Sequence, residues 1–243
     1  MIKLSDDIAL LEPGLVPYKE AWDLQKQIAV GIAGNVLPDT LILLEHPHTY
    51  TLGRSSHREH LLLSPEQCEA AGISVVEVDR GGDITYHGPG QLVIYPILSL
   101  GKPDASGRLP GGDYVGYLRK LEEVIIQTLS RFELYGYRIP DYTGVWVGES
   151  PYEAKIAAVG VRVNRQGIST HGAAVNVAPD LSYFSGIIPC GIADKAVTSL
   201  KSILGEKSPE MNELSSALKD SFETVFERKL TRSSPELLLL TRS

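Results

Sequence analysis

The sequence predicts an α/β (α+β) fold of mixed sheets with flanking helices. Apolar runs of strand length and segments of helical spacing are intermingled from one end of the chain to the other. The 243 residues are 43% apolar and 22% charged, an ordinary globular balance with enough chain to bury a substantial core. No linker or internal repeat divides them, so residues 1–243 read as one domain. Residues 231–243 form a tail that is too short to fold alone.

The elements follow in order. Tyr18 to Ala33 carries apolar residues at helical spacing, and Pro17 stands where a first helical turn tolerates proline. Leu41-Ile42-Leu43-Leu44 is a buried strand. Ser64, Pro65 and Gln67 mark a helix start, with Ser64 as N-cap and Gln67 placed to complete a capping box, and Gly72 ends the helix. Ile73 to Val78 is the next strand, and Leu92 to Leu98 another. A polar loop from Gly101 to Gly112 leads into a long helix from about Asp113 to Tyr135, closed by Gly136. Val145-Trp146-Val147, Ile156 to Val163 and Ile168 to Val177 are strands, the last two joined by the turn Asn164-Arg165-Gln166-Gly167. Met211 to Leu230 is a final amphipathic helix.

Composition excludes several classes of function. A net charge of −7 without dense Lys/Arg argues against nucleic acid, whose phosphates reward such clusters. No window approaches the roughly 18 to 20 apolar residues of a membrane helix. The start Met1-Ile2-Lys3-Leu4-Ser5-Asp6-Asp7 lacks the basic-then-apolar order of a signal peptide, so a cytoplasmic location is expected. His46-Pro47-His48 has no carboxylate or thiol cluster beside it, and no metal is expected there.

The most informative stretch runs from Arg80 to Ile97, where a glycine-dense polar loop meets an apolar strand. Gly81-Gly82 and Gly88-Pro89-Gly90 allow close backbone approach to a ligand, while Arg80, Thr85, Tyr86 and His87 supply donors. Of the two cysteines, Cys68 sits inside a helix beside alanines and fits a small core residue. Cys190 lies in Ile188-Pro189-Cys190-Gly191, held between a rigid and a permissive residue, and is the candidate nucleophile. A nucleophilic thiol needs a base or cation nearby. Lys155, His87 and His171 are the candidates, and spacing does not choose among them.

The run Arg80-Gly81-Gly82-Asp83-Ile84-Thr85-Tyr86-His87-Gly88-Pro89-Gly90-Gln91-Leu92 resembles the signature of the lipoyl(octanoyl) transferases. Three further blocks agree in order: Glu45-His46-Pro47 through Gly53, Lys155 through Arg162, and Pro189-Cys190-Gly191. The resemblance implies the fold of the biotin/lipoate-protein ligase catalytic domains. It also implies transfer of an octanoyl group from octanoyl-acyl carrier protein to a lysine of lipoyl domains, those of 2-oxoacid dehydrogenase E2 subunits and the glycine cleavage H protein. Cys190 matches the family's acyl-thioester nucleophile and Lys155 the lysine that activates it. The implied substrate pocket is Arg80, Gly81, Gly82, Asp83, Ile84, Thr85, Tyr86 and His87 with Ala158, Val159, Gly160, Gly172, Ala173 and Ala174.

A thioester donor already carries an activated acyl group, so no cofactor and no ATP is expected. The competing readings are an ATP-dependent lipoate-protein ligase, which needs no cysteine at position 190, and a non-catalytic acyl-binding protein, which needs no dyad. Acyl carrier proteins are acidic, so a local basic patch with Arg54, Arg58 and Arg162 is expected near the pocket mouth.

Overall fold

The computed structural model describes residues 7–101, 114–188 and 196–233. A large mixed sheet runs through its centre in the order β12-β1-β2-β6-β10-β9-β8-β7. These strands are β1 (Ile8–Leu15), β2 (Thr40–Glu45), β6 (Gln91–Ile97), β7 (Tyr137–Ile139), β8 (Tyr142–Val147), β9 (Ala154–Val163), β10 (Ser169–Asn176) and β12 (Leu230–Arg232), and β11 (Ala196–Val197) pairs in parallel with β9. A second sheet of three strands has β3 (Thr49–Leu52) between β4 (Ser74–Glu77) and β5 (Ile84–His87). Among the described residues, five α-helices accompany them: α1 (Tyr18–Ala33), α2 (Pro65–Ala70), α3 (Tyr114–Ser130), α4 (Leu200–Leu204) and α5 (Met211–Phe226).

Both faces of the large sheet are covered, which is why its central strands are apolar without a break. Alternate residues serve opposite sides. Leu41, Leu43, Leu92 and Ile94 pack against Leu121 and Ile125 of α3 and Leu214, Leu218 and Phe222 of α5. Ile42, Leu44, Val93 and Tyr95 pack against Ala21, Ile28 and Ile32 of α1. Each fully buried aliphatic of this kind contributes roughly 1.5–3 kcal/mol relative to exposure. The small sheet has its own core of Tyr50, Leu52, Cys68, Ile73, Ile84, Tyr86 and Ile187.

Several local expectations hold. Ser64 accepts from the Gln67 N–H while the Gln67 side chain accepts from the Ser64 N–H, a complete capping box, and Gly72 takes φ +66° just past the helix. The β9–β10 turn closes through Asn164, whose side chain accepts from the Gln166 and Ile168 N–H groups.

Other expectations need correction. The long helix stops at Ser130, because Glu133 adopts a left-handed φ of +57° and the Leu134 N–H returns to the Leu129 carbonyl. Gly136 is small for packing: a Cβ there would lie 2.9 Å from Leu129 and 3.0 Å from Val145. The last helix ends at Phe226 with Glu227 left-handed, which frees Leu230–Arg232 to pair with the β1 edge. That β1 edge, Ile8-Ala9-Leu10-Leu11, was not expected. Nor is β5 the loop that the sequence suggests: Ile84–His87 is a strand, whose glycine flanks hide the alternation. The expected helix start at Asp113 and the loop to Gly112 lie mostly outside the described residues.

Candidate active site

Period-two alternation decides what β5 shows to the site. Thr85 and His87 face a cleft between the two sheets, whereas Ile84 and Tyr86 turn into the core of the small sheet. Arg80, Gly81 and Gly82 line the same side of the cleft as Thr85 and His87. Ala158, Val159 and Gly160 of β9 and Gly172, Ala173 and Ala174 of β10 line the other side. Tyr18, Tyr95 and His171 also line it. The two tyrosines were missed, and their only signal was their place in a helix start and a strand.

Small residues here serve both space and close packing. A Cβ on Gly172 would lie 2.0 Å from the Ile94 carbonyl oxygen, so β10 and β6 leave no room for one. At Gly160 it would lie 3.0 Å from the Gly81 oxygen and 3.3 Å from Arg80 Cδ, so glycine lets the loop close over β9. Gly82 carries the φ of +85° that turns this loop.

Past Ala158, Val159 and Gly160 the cleft opens into a basin of about 540 Å³, lined also by His57, His60, Asp83 and Lys155. Asp83 belongs to this basin rather than to the cleft. Its carboxylate accepts from the Ile84 N–H at 2.7 Å and from His60 Nδ1. Lys155 is 8% exposed, with Nζ 4.8 Å from the centre of the Trp146 ring. It stands opposite Val197, and its carbonyl accepts from the Thr198 N–H at 3.0 Å. Buried Glu122 supports the neighbouring strand by accepting from the Gly144 N–H at 2.9 Å while bound to Arg119 and Arg138.

The rival histidines are engaged elsewhere. His171 Nε2 lies 2.7 Å from Asp79, a carboxylate that only accepts, so this nitrogen carries the proton and Nδ1 accepts from the Tyr18 hydroxyl at 3.3 Å. Burial pushes His171 down to about 3, aided by Arg80, Arg162 and Lys26, and Asp79 is shared with Arg162. His171 also holds φ +58°, fixed by its N–H donating to Gln25 at 2.7 Å. His87 is buried and held well below its ordinary range by burial, with His46 adding to the effect. Both rings are therefore neutral and hydrogen-bonded at pH 7, and weak as bases.

Arg80 is 7% exposed, and its guanidinium donates to Thr51 O at 2.7 Å, Thr51 Oγ1 at 2.9 Å and Gly81 O at 3.0 Å. His46 and His48 diverge: His46 meets the Val16 carbonyl at 2.6 Å and the Tyr95 hydroxyl at 2.8 Å, and His48 meets the Tyr86 hydroxyl at 2.9 Å. Of the expected basic patch, Arg162 is paired with Asp79 and Arg58 reaches Glu77 at 3.8 Å, while Arg54 is exposed. Cys68 is buried in the small-sheet core, and burial raises its thiol pKa. Cys190 lies outside the described residues.

Comparison with known proteins decides the family. The lipoyl protein ligase A/B catalytic domain family matches residues 17–223. This chain belongs to that family. As a lipoyl protein ligase A/B domain it is 45% identical to an octanoyltransferase of Chloroflexus aurantiacus over 213 residues, 88% of this chain and 91% of that protein. An octanoyltransferase of Christiangramia forsetii is 41% identical over 239 residues, covering 93% of this chain and 99% of its own. Among solved structures, a bi-partite lipoate protein ligase from Thermoplasma acidophilum has a similar fold, with TM-score 0.72 at 18% identity over 97% of this chain and 90% of that one. A lipoate-protein ligase A bound with ATP has TM-score 0.71 at 16% identity, over 97% of this chain and 93% of its own. Within this fold the described helices include none long and apolar enough to cross a membrane.

Proposed function

We propose that this chain is an octanoyltransferase that moves an octanoyl group from octanoyl-acyl carrier protein to a lysine of a lipoyl domain. The observation that carries this reading is the set of octanoyltransferases at 41–47% identity over most of the chain. In this proposal the acceptors are the lipoyl domains of 2-oxoacid dehydrogenase E2 subunits and the glycine cleavage H protein, and the reaction takes place in the cytoplasm.

Cys190 is the acyl-carrying nucleophile in this reading and Lys155 its base. Two facts about neighbouring residues support the pairing. Ile188 is tied by its N–H to the His60 carbonyl at 2.8 Å, and Val197 stands opposite Lys155, so the chain reaches the basin on both sides of residues 189–195. Lys155, in its amine form, takes the Cys190 Sγ proton as sulfur attacks the donor thioester carbonyl. Collapse of the tetrahedral intermediate breaks the bond to the phosphopantetheine sulfur, and the Lys155 proton passes to that leaving thiolate. The acceptor lysine amine then attacks the Cys190 thioester. Lys155 takes one proton from that amine and returns it to the departing Cys190 sulfur. Backbone N–H groups of the glycine loop or near Gly191 are candidates to stabilise the two oxyanions. The octanoyl chain lies in the cleft between Arg80–His87 and the small residues of β9 and β10.

The test is transfer itself. Octanoyl-carrier protein and an apo-lipoyl domain, mixed with the enzyme without ATP, are expected to yield a lipoyl domain heavier by one octanoyl group. Transfer seen only from free octanoate with ATP would overturn the proposal in favour of a lipoate ligase.

A further inference from the structure

A chain of buried side chains runs beside the cleft, and the chemistry at its two ends sets its direction. At one end, Asn176 Nδ2 lies 2.9 Å from the Thr198 carbonyl and Gln91 Nε2 lies 3.2 Å from the Tyr86 carbonyl. Carbonyl oxygens only accept, so both amides are oriented without ambiguity. Gln91 Nε2 also donates to Asn176 Oδ1 at 2.9 Å, and Gln91 Oε1 faces His87 Nδ1 at 2.8 Å. At the other end Arg80, which only donates, gives Nε and Nη2 hydrogens to Thr51 Oγ1 at 3.3 and 2.9 Å. Thr51 then has its own hydroxyl hydrogen for His87 Nε2 at 3.5 Å. Each link donates the same way, from Arg80 through Thr51, His87 and Gln91 to Asn176.

We propose that Gln91 and Thr51 are positioning residues: Gln91 holds His87 as its neutral Nδ1–H tautomer, and Thr51, free of a competing Nε2 hydrogen, fixes the Arg80 guanidinium at the wall of the acyl cleft. If the His87 proton moved to Nε2, that nitrogen would donate toward Thr51 Oγ1, which already accepts two N–H groups from Arg80. The link would reverse and the guanidinium would lose an acceptor. Among the described residues, the titratable and charged groups that face His87 are Arg80, His46, His171 and Tyr18, and none of these offers a carboxylate to take over the role of Gln91. Arg80 in turn packs over Gly160 and holds the Gly81 carbonyl, so its placement shapes the cleft directly.

The inference rests on the octanoyl-transfer reading for its effect on the reaction, but its structural half is measurable without substrate. Nitrogen-15 spectra of the histidine side chains at pH 7 are expected to show His87 protonated at Nδ1 in the wild type. Gln91→Met, which keeps the shape and removes the acceptor, is expected to move the proton to Nε2 and to raise KM for octanoyl-carrier protein about tenfold with a smaller change in kcat. Thr51→Val is expected to raise KM similarly while leaving the His87 proton on Nδ1, and Thr51→Ser to restore it. An Nε2–H tautomer in the wild type overturns the proposal. So does a Gln91→Met enzyme with unchanged tautomer or unchanged KM. A wild type with the expected tautomer but no octanoyl transfer would instead sink the functional reading.

Discussion

Lys155→Met is expected to lower kcat for octanoyl transfer by about 10²- to 10⁴-fold, the usual contribution of a positioned acid–base group, with KM for the donor changed only a few-fold. Methionine keeps an unbranched stem against the Trp146 ring, where Lys155 now sits with 8% exposure, so packing is disturbed little. What it removes is the amine. Alkylation of Cys190 by iodoacetamide at neutral pH should slow in parallel and recover as pH rises, since a neighbouring ammonium favours the thiolate. The same experiment on His87→Ala and His171→Ala separates the dyad from a cysteine–histidine pair. If a histidine variant shifts the alkylation profile while Lys155→Met keeps the wild-type one, the lysine must be given up.

Stability is expected to fall steeply between pH 6.5 and 4. Burial holds His46 down to about 4 and His171 to about 3, while in the unfolded chain both return to about 6.5. Above 6.5 both states are unprotonated and nothing is lost. As pH falls below 6.5 the unfolded chain binds protons that the folded one refuses, so folding loses free energy until the folded values are reached. At pH 5 the loss is roughly 2 kcal/mol for each histidine, a sizeable share of the ~5–15 kcal/mol that holds a typical domain together. His87 acts in the same direction. The carboxylates whose pKa values are lowered, such as Glu66 and Asp180, add their effect only at lower pH. Denaturant midpoints at pH 8, 6.5 and 5 measure this directly. Equal midpoints at pH 8 and 5 would contradict it.

Local signals that need no distant partner were legible in the sequence: the Ser64 capping box, the Asn164 hairpin turn and the unbroken apolar runs of β2 and β6. Elements whose identity depends on a partner were not. Leu230 suits a helix end as well as a strand, and only the exposed edge of β1 decides for β12. The glycine loop pointed to the site, yet its glycines masked the period-two order that sends Thr85 and His87 to the cleft and Ile84 and Tyr86 away. Tyr18 and Tyr95 carry no motif, since they reach the cleft only because α1 packs across β6 and β10. The buried relay from Arg80 to Asn176 joins the Arg80 loop to residues of β3, β5, β6 and β10, and no sequence spacing reports such a meeting.

The central claim is that the acyl group rests on Cys190 on its way between carrier and lysine. Intact mass of the enzyme after incubation with octanoyl-carrier protein, without ATP or acceptor, tests it most directly. An adduct of one octanoyl group is predicted, mapped by digestion to Cys190, lost in Cys190→Ala together with transfer, and retained in Cys68→Ala. An adduct on Cys68 alone, or efficient transfer by Cys190→Ala, would contradict the account.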